Sequence, residues 1–442
     1  MPTVPKLDPA VREAHFVPPP IATVEDTGLS LLWLQDLALK ILYFQSYLSG
    51  FEMAEEIALP FIGIVDQILE TLKRERLVEV KSSTSGVGEG AYQYAITGEG
   101  IVRAREALER CQYAGPAPVP IEAYNESIRR QSRGRVAITG ELMQKFLSHL
   151  VLSKDILQRL GPALNSGTSI FLYGPSGNGK TSVAKAFGSQ VLHQTMYIPF
   201  ALYLGGQIIK LYDSVNHRLA DEPETAEKGG GNLRTGNRLD PRWVKILRPF
   251  IMAGGELTLE SLDLSFDDTN KFYEAPFQVK ANGGILLIDD FGRQQVQPRD
   301  LLNRWIVPLE NRVDYLTLHT GRKIEIPFDV LLIFSTNLPP RDLVDEAFLR
   351  RLRHKIEIGD PSVDEYREIF RRVAQQKGIP YDDQGLVYLL QEYYAKHNRQ
   401  LRASHPRDLC DQILDIARYL SIEPTMSNAM IDHAASAFFV EV

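Results

Sequence analysis

Apolar residues recur at helical spacing over 31–48, and the same period predicts helices over 52–59 and 60–76, the last opening on Pro60, a good first-turn residue. Two short runs with apolar positions follow, 77–80 and 92–96, on either side of a Ser/Gly-rich turn at 82–90, and a helix over 100–111 closes this region. From Val136 the pattern changes to helices alternating with short apolar runs at 169–173, 196–200, 285–288 and 330–334. Strands without a polar side are buried on both faces, so these runs predict a parallel sheet covered by helices. Two further stretches alternate, 255–284 and 315–328, and each reads as a hairpin, the second turning at His319-Thr320-Gly321-Arg322. After Gly359 the strands stop, and helices starting near Ser362, Asp383, Pro406 and Ser427 predict a small all-helical unit.

The chain therefore divides into a proline-rich flexible leader (1–27), an α+β unit (28–112), a linker stiffened by Pro116, Pro118 and Pro120 (113–135), an α/β unit (136–358) and a helical unit (359–442). Its 442 residues are too many for one compact domain, and 44% apolar with 24% charged residues suits a protein that builds sizeable cores. A net charge of −7 argues against a chain whose main business is gripping nucleic acid. Arg129, Arg130, Arg133 and Arg135 form a local basic run that reads either as a solvated face or as a phosphate contact. Two cysteines, Cys111 and Cys410, exclude a disulfide framework or a cysteine-rich zinc site. No apolar run approaches the roughly 18 residues that span a bilayer, and the N-terminus lacks the apolar core of a signal peptide. The expectation is a soluble, cytoplasmic protein with no membrane insertion.

The chemistry concentrates in Gly174-Pro175-Ser176-Gly177-Asn178-Gly179-Lys180-Thr181, which satisfies G-x-x-x-x-G-K-[ST] directly after a predicted strand and before a helix that continues from Ser182. Glycines let such a loop curl so that its N–H groups, with the helix N-terminus, face phosphate oxygens. Lys180 reaches the β- and γ-phosphates of ATP, and Thr181 offers its hydroxyl to Mg²⁺. The run Gly283-Gly284-Ile285-Leu286-Leu287-Ile288-Asp289-Asp290 is a second buried strand, with two acids at its carboxyl end, where open α/β sheets bind ligands. Asp289 then holds Mg²⁺ with Thr181, and Asp290 orients and deprotonates the attacking water; alternatively the acids merely cap the next helix.

Together these residues resemble the AAA+ family of ATPases, and later motifs extend the resemblance over 136–442. Leu331 to Asn337 is a strand ending in a polar residue, similar to sensor 1, which implies that Asn337 holds the hydrolytic water. The segment Glu346 to Arg353 resembles the one that carries arginine fingers, matching at Arg350 and Arg351, and implies that a neighbouring subunit receives them. Ser404-His405-Pro406-Arg407-Asp408-Leu409 resembles sensor 2, with Arg407 reaching from a helical lid to the nucleotide. One departure stands out: most active members carry glutamate where this chain has Asp290, one methylene shorter, which implies slower hydrolysis or a switch set by ATP occupancy. The hairpin at 315–328 resembles the pre-sensor-1 hairpin branch, with its MoxR-like and chelatase-like members. Tyr203-Leu204-Gly205 mimics the pore loop of unfolding motors, or is a core tyrosine beside a helix-start glycine.

The fold expectation is thus a P-loop α/β sheet of AAA+ type with a C-terminal helical lid, behind an N-terminal unit whose helix order resembles a winged helix. The resemblance implies a homo-oligomer, six per ring in the family, that hydrolyses ATP to remodel a protein client this sequence does not name. Two other readings stand beside it, a DNA-binding transcription regulator and a non-hydrolysing switch. Charge disfavours DNA: residues 28–112 hold 8 Lys/Arg against 12 Asp/Glu, and the cations of 60–76 (Lys73, Arg74, Arg76) are matched by Asp66, Glu70 and Glu75.

Overall fold

A computed structural model describes residues 16–83, 89–133, 138–191, 194–220, 239–343 and 349–439. The stretch 221–240, which reads as a mobile loop with its Gly229-Gly230-Gly231 run, lies almost wholly outside these residues, as do the turn between 83 and 89, Arg135 and Glu346 to Phe348.

Five strands form the central sheet: β1 (Ser169–Tyr173), β2 (Phe250–Ala253), β3 (Ile285–Ile288), β4 (Leu331–Thr336) and β5 (His354–Glu357). Their spatial order is β2-β3-β4-β1-β5, and every pair is parallel. Alternate side chains leave the sheet on opposite faces. Phe171, Leu286, Ile288, Leu332 and Phe334 enter one core with Trp305, while Ile170, Leu172, Leu287 and Ile333 enter another with Val183 and Phe187. Burial on both faces is why the strands lack a polar stripe.

Three of the four expected strands occupy the sheet. The fourth, Thr195–Pro199, instead pairs antiparallel with Trp243–Leu247 outside it. Its place is taken by β2, four residues that are buried only alternately, and β5 carries charge at two of four positions. Both are edge strands, so the uniform apolar signal is missing.

The N-terminal unit packs with segments inserted between the strands of the central sheet, around 195–247, 255–284 (the first insertion below) and 313–327. Helices Leu31–Gln45, Gly50–Ile57, Asp66–Arg74 and Gly98–Arg110 surround a three-stranded sheet in which Tyr92–Ile96 lies between Tyr47–Ser49 and Val78–Ser83. Tyr47 and Leu48 of the first of these strands fall inside the helix expected at 31–48; Ser46, with φ +69, ends that helix and Ser49 caps the next with a capping box to Glu52. The expectation of a flexible leader through residue 27 fails for its last part, because Ile21, Val24 and Thr27 are buried in this core. The linker expectation fails likewise. Val119–Pro120 adds a parallel strand beside Ala201–Leu204, and Ile121–Arg133 buries Ile121, Tyr124 and Ile128.

The 255–284 stretch contains a hairpin only at Ser265–Asp267 and Phe272–Glu274; Phe277–Lys280 is helical. The 315–328 hairpin forms as expected, Val313–Thr317 against Lys323–Pro327. Its tip leans on the first insertion, where His319 stacks on Phe266 at 4.3 Å. Tyr203 sits in a hairpin that turns at Gly205 and Gly206, with no helix start, and packs edge-on against Trp33 at 5.5 Å.

One buried histidine in this body makes stability depend on pH. His217 Nδ1 accepts from the Asp213 N–H at 3.0 Å and Nε2 lies 2.9 Å from the Lys280 carbonyl, so the neutral ring satisfies both nitrogens. Burial holds its pKa below the ordinary histidine value, against the pull of Asp213. Burial also pushes Asp213 up, but the Lys280 hydrogen bond, with those from Val215 and Asn216, outweighs it and holds that carboxyl at about 2. The unfolded chain protonates this histidine below pH ~6.5 while the fold resists, so its contribution is complete above that pH and lost on acidification. The Asp213 contribution goes later, as pH falls from ~4 towards 2. Melting temperature should therefore fall between pH 7 and 5, and His217→Gln should flatten that slope; an unchanged slope in the variant would remove His217 as its cause.

Candidate nucleotide site

The site lies at the carboxyl ends of β1, β3 and β4, three adjacent strands. After β1 the chain turns through the glycine loop into helix α1 (Lys180–Val191). Gly174 has φ +135, and a Cβ there would stand 2.3 Å from the Ile358 carbonyl oxygen, so the loop can lie against β5's end only without a side chain. Asn178 and Lys180 are buried, Pro175 is half-buried, and Ser176 and Ser182 are exposed. The Lys180 ammonium turns back to the carbonyls of Gly174 and Pro175, both at 2.9 Å. Burial holds its pKa below the usual lysine range, against the pull of Asp290 and Asp289.

Thr181 Oγ1 lies 3.0 Å from both carboxylate oxygens of Asp289. This hydroxyl and acid come from elements 108 residues apart and meet because β3 is separated from β1 only by β4. The turn after β3 is held against β4: Phe291 N–H donates to the Ser335 carbonyl, and Thr336 Oγ1 donates to the Phe291 carbonyl, both at 2.7 Å. Asp290 takes φ +49 in this turn and is exposed. Gln294 donates to the Asp289 and Asp290 carbonyls at 2.8 and 3.2 Å, a brace that no motif announced. Asn337 follows β4 directly, and its Oδ1 is buried with no hydrogen-bond partner.

The arginines are placed differently. Arg351 pairs with Glu310 at 2.5 Å, and Arg350 is exposed beside it. Arg407 is on the first turn of α2 (His405–Leu420), 67% exposed, with its guanidinium on neighbouring Asp408 at 3.3 Å. The residues touching the loop from the helical unit lie before that helix. Ser404 N–H donates to the Gly177 carbonyl at 2.8 Å and Ala403 N–H to Asn178 Oδ1 at 3.2 Å. Asp360, just past β5, accepts from Asn178 Nδ2 at 2.7 Å and pairs with Arg402. Sequence reasoning missed Asp360 and Arg402 and gave Ser404 no role beyond opening the sensor-2-like run, since nothing in their local pattern marks contact with a loop over 180 residues away.

The donor set fits a magnesium triphosphate. An ammonium lies on the loop, a hydroxyl is paired with a carboxylate at its far end, and an unpartnered buried amide oxygen follows the neighbouring strand β4. Fold and site together define an α/β protein with a five-stranded parallel sheet, a glycine loop that leads from a central strand into a helix, and a C-terminal helical unit.

Comparison with known proteins adds the following. Residues 362–437 match a family described as a domain of unknown function (DUF8689). A search of curated proteins gives no match. Among solved structures, the chain is similar to NtrX from Brucella abortus at 15% identity and TM-score 0.39, over 67% of this chain and 57% of that one. NtrX in complex with ADP matches at 15% identity and TM-score 0.37, over 75% and 64%. The Thermotoga maritima RuvB Holliday junction branch migration motor matches at 13% identity and TM-score 0.37, over 66% and 70%. The chain thus spans less than two thirds of the NtrX chains it matches. Among the described residues, no helix is long and apolar enough to cross a membrane.

Proposed function

We propose that the chain is an ATPase of AAA+ type, and that it couples ATP binding and hydrolysis to movement of its helical unit. The observation that carries this is Thr181 Oγ1 set 3.0 Å from both Asp289 oxygens at the mouth of the glycine loop. In this reading the loop N–H groups of 174–181 and Lys180 bind the phosphates, while Thr181 and Asp289 hold Mg²⁺. When bound, the metal would neutralise charge on the β- and γ-phosphate oxygens. Asn337 holds the attacking water through its unpartnered Oδ1, and Asp290 orients that water and takes its proton. Arg350 and Arg351 act on the site of a neighbouring subunit, which makes a homo-oligomeric ring, a hexamer by family expectation, the working form. Arg407 acts as the lid's sensor once the lid moves.

The unit at 28–112 is read as winged-helix-like and as the part that selects a protein client. Its helix, sheet and helix order suits that reading, and its net negative charge disfavours duplex DNA. It is packed against the rest of the chain through Trp33–Tyr203 and through the Gln112 N–H, which donates to the Asn270 carbonyl at 2.8 Å, so a bound client would be felt by the core.

A specific observation keeps the switch reading alive: Asp290 is short, exposed and in a left-handed turn. Steady-state ATP turnover decides. The wild type should turn over, and Asp290→Ala should be slower by roughly 100-fold or more, the usual range for losing a general base, while binding calorimetry still registers Mg-ATP. Equal background rates for both proteins would leave the switch alone, and absence of binding heat for the wild type would end both readings.

A further inference from the structure

The contacts between the phosphate loop and the helical unit form a closed circuit. Asn178 is 5% exposed and uses both ends of its amide across the boundary, giving to Asp360 at 2.7 Å and accepting from Ala403 at 3.2 Å. Asp360 in turn holds Arg402, the residue just before Ala403. Gly177 completes the circuit through the Ser404 N–H at 2.8 Å. There is no room to spare: a Cβ on Gly177 would stand 2.7 Å from Ser404 Oγ and 3.8 Å from the Arg402 Cβ. Asp360 belongs to the joint between β5 and the helix Val363–Gln376, so the circuit ties loop, joint and lid at one point.

We propose that Asn178, Asp360 and Arg402 are a positioning latch, which holds the lid against the phosphate loop and passes the loop's occupancy to the lid. The physical reason lies in Lys180. Its ammonium now satisfies the Gly174 and Pro175 carbonyls, and an entering phosphate competes for it. Releasing those carbonyls frees the loop's backbone three residues before Asn178. A buried amide cannot lose its partners cheaply, so the loop either carries Ala403 and Ser404 with it or stays in the shape that receives phosphate. Coupling is reciprocal: fixing the lid pre-organises the loop, and filling the loop fixes the lid. Arg402 acts through Asp360 and needs no contact with the ligand.

This rests on the nucleotide reading above, and the test separates the two. The first arm uses the full chain without nucleotide and follows amide hydrogen exchange. Asn178→Ala, Asp360→Asn and Arg402→Ala should each speed exchange at Ala403 or Ser404 by roughly tenfold, as expected for losing one charged or buried hydrogen bond. Amides inside the lid helices, such as Phe370 and Ile413, should keep their rates. Unchanged exchange at 403–404, or equal acceleration through the lid core, overturns the latch. The second arm measures ADP affinity. Asp360→Asn and Arg402→Ala should each weaken it about tenfold, the pair together no further, and Arg402→Lys should recover part of the loss. Additive losses overturn the proposal. A wild type that binds no ADP sinks the nucleotide reading and, with it, the signalling half of the latch, whereas the first arm still judges the contacts themselves.

Discussion

Lys180→Ala should weaken Mg-ATP binding by roughly 100-fold, about 2.7 kcal/mol, the scale of a hydrogen bond to a charged group lost from a partly desolvated site. The size follows from where the ammonium sits. It is buried, with Asp289 and Asp290 close enough to act on it, and its two present bonds are to neutral carbonyls that it can exchange for phosphate oxygens. Without it, the loop has no cationic side chain on the phosphates, and only its backbone dipoles and the bound metal offset their charge. Arginine is no substitute, because its planar fork does not fit a cradle closed around a point charge. Calorimetry on the folded variant checks this. Affinity within threefold of wild type would mean that the loop does not hold phosphate through Lys180.

Arg242→Ala should destabilise the protein by about 3–5 kcal/mol, the cost of breaking a buried ion pair from one side. Arg242 and Asp240 are 3% and 4% exposed at the side chain, and the guanidinium binds both carboxylate oxygens. Its Nη1 also donates to the carbonyls of Thr27 at 2.7 Å and Pro118 at 3.1 Å. One side chain thus satisfies the entry to the first helix, the strand that joins the units and the loop before Trp243–Leu247. Deleting it leaves a buried carboxylate with only the backbone N–H of residue 242, at 3.0 Å, and takes the guanidinium away from both carbonyls. Trp33 and Trp243 lie in the two parts it joins, so their fluorescence reports the loss directly as an unfolding midpoint moved to lower urea. An unmoved midpoint would show that the packing of Tyr203 and Tyr113 holds the body together without the ion pair.

The Arg242 contacts also mark where sequence reading stops. An arginine two residues after an aspartate has no pattern that says it will be buried, and the proline-rich stretch at 116–120 reads as a tether until a strand beside it is known. The same limit applies to the sheet. β1, β3 and β4 were legible because central strands must be apolar on both faces; β2 and β5, at the edges, keep exposed or charged positions and were passed over, while the apolar run at 196–200 was taken for a sheet member it is not. In the helical unit the starts were readable from local chemistry, since Ser362 and Ser427 cap their helices through their own side chains.

What the sequence by itself determined is the phosphate loop with its flanking strand and helix, the acid pair, the polar end of the strand before Asn337 and the helical character of the last eighty residues. Each is encoded within a few positions, through glycine's freedom, strand and helix periodicity or a capping residue. What only the tertiary structure decided is which distant groups meet: Thr181 with Asp289, Asn178 with Asp360 and Ala403, Arg242 with Thr27 and Pro118. Those pairings depend on strand order and on how the units pack, and a hydrogen bond across more than a hundred residues leaves no periodic trace in the chain that forms it.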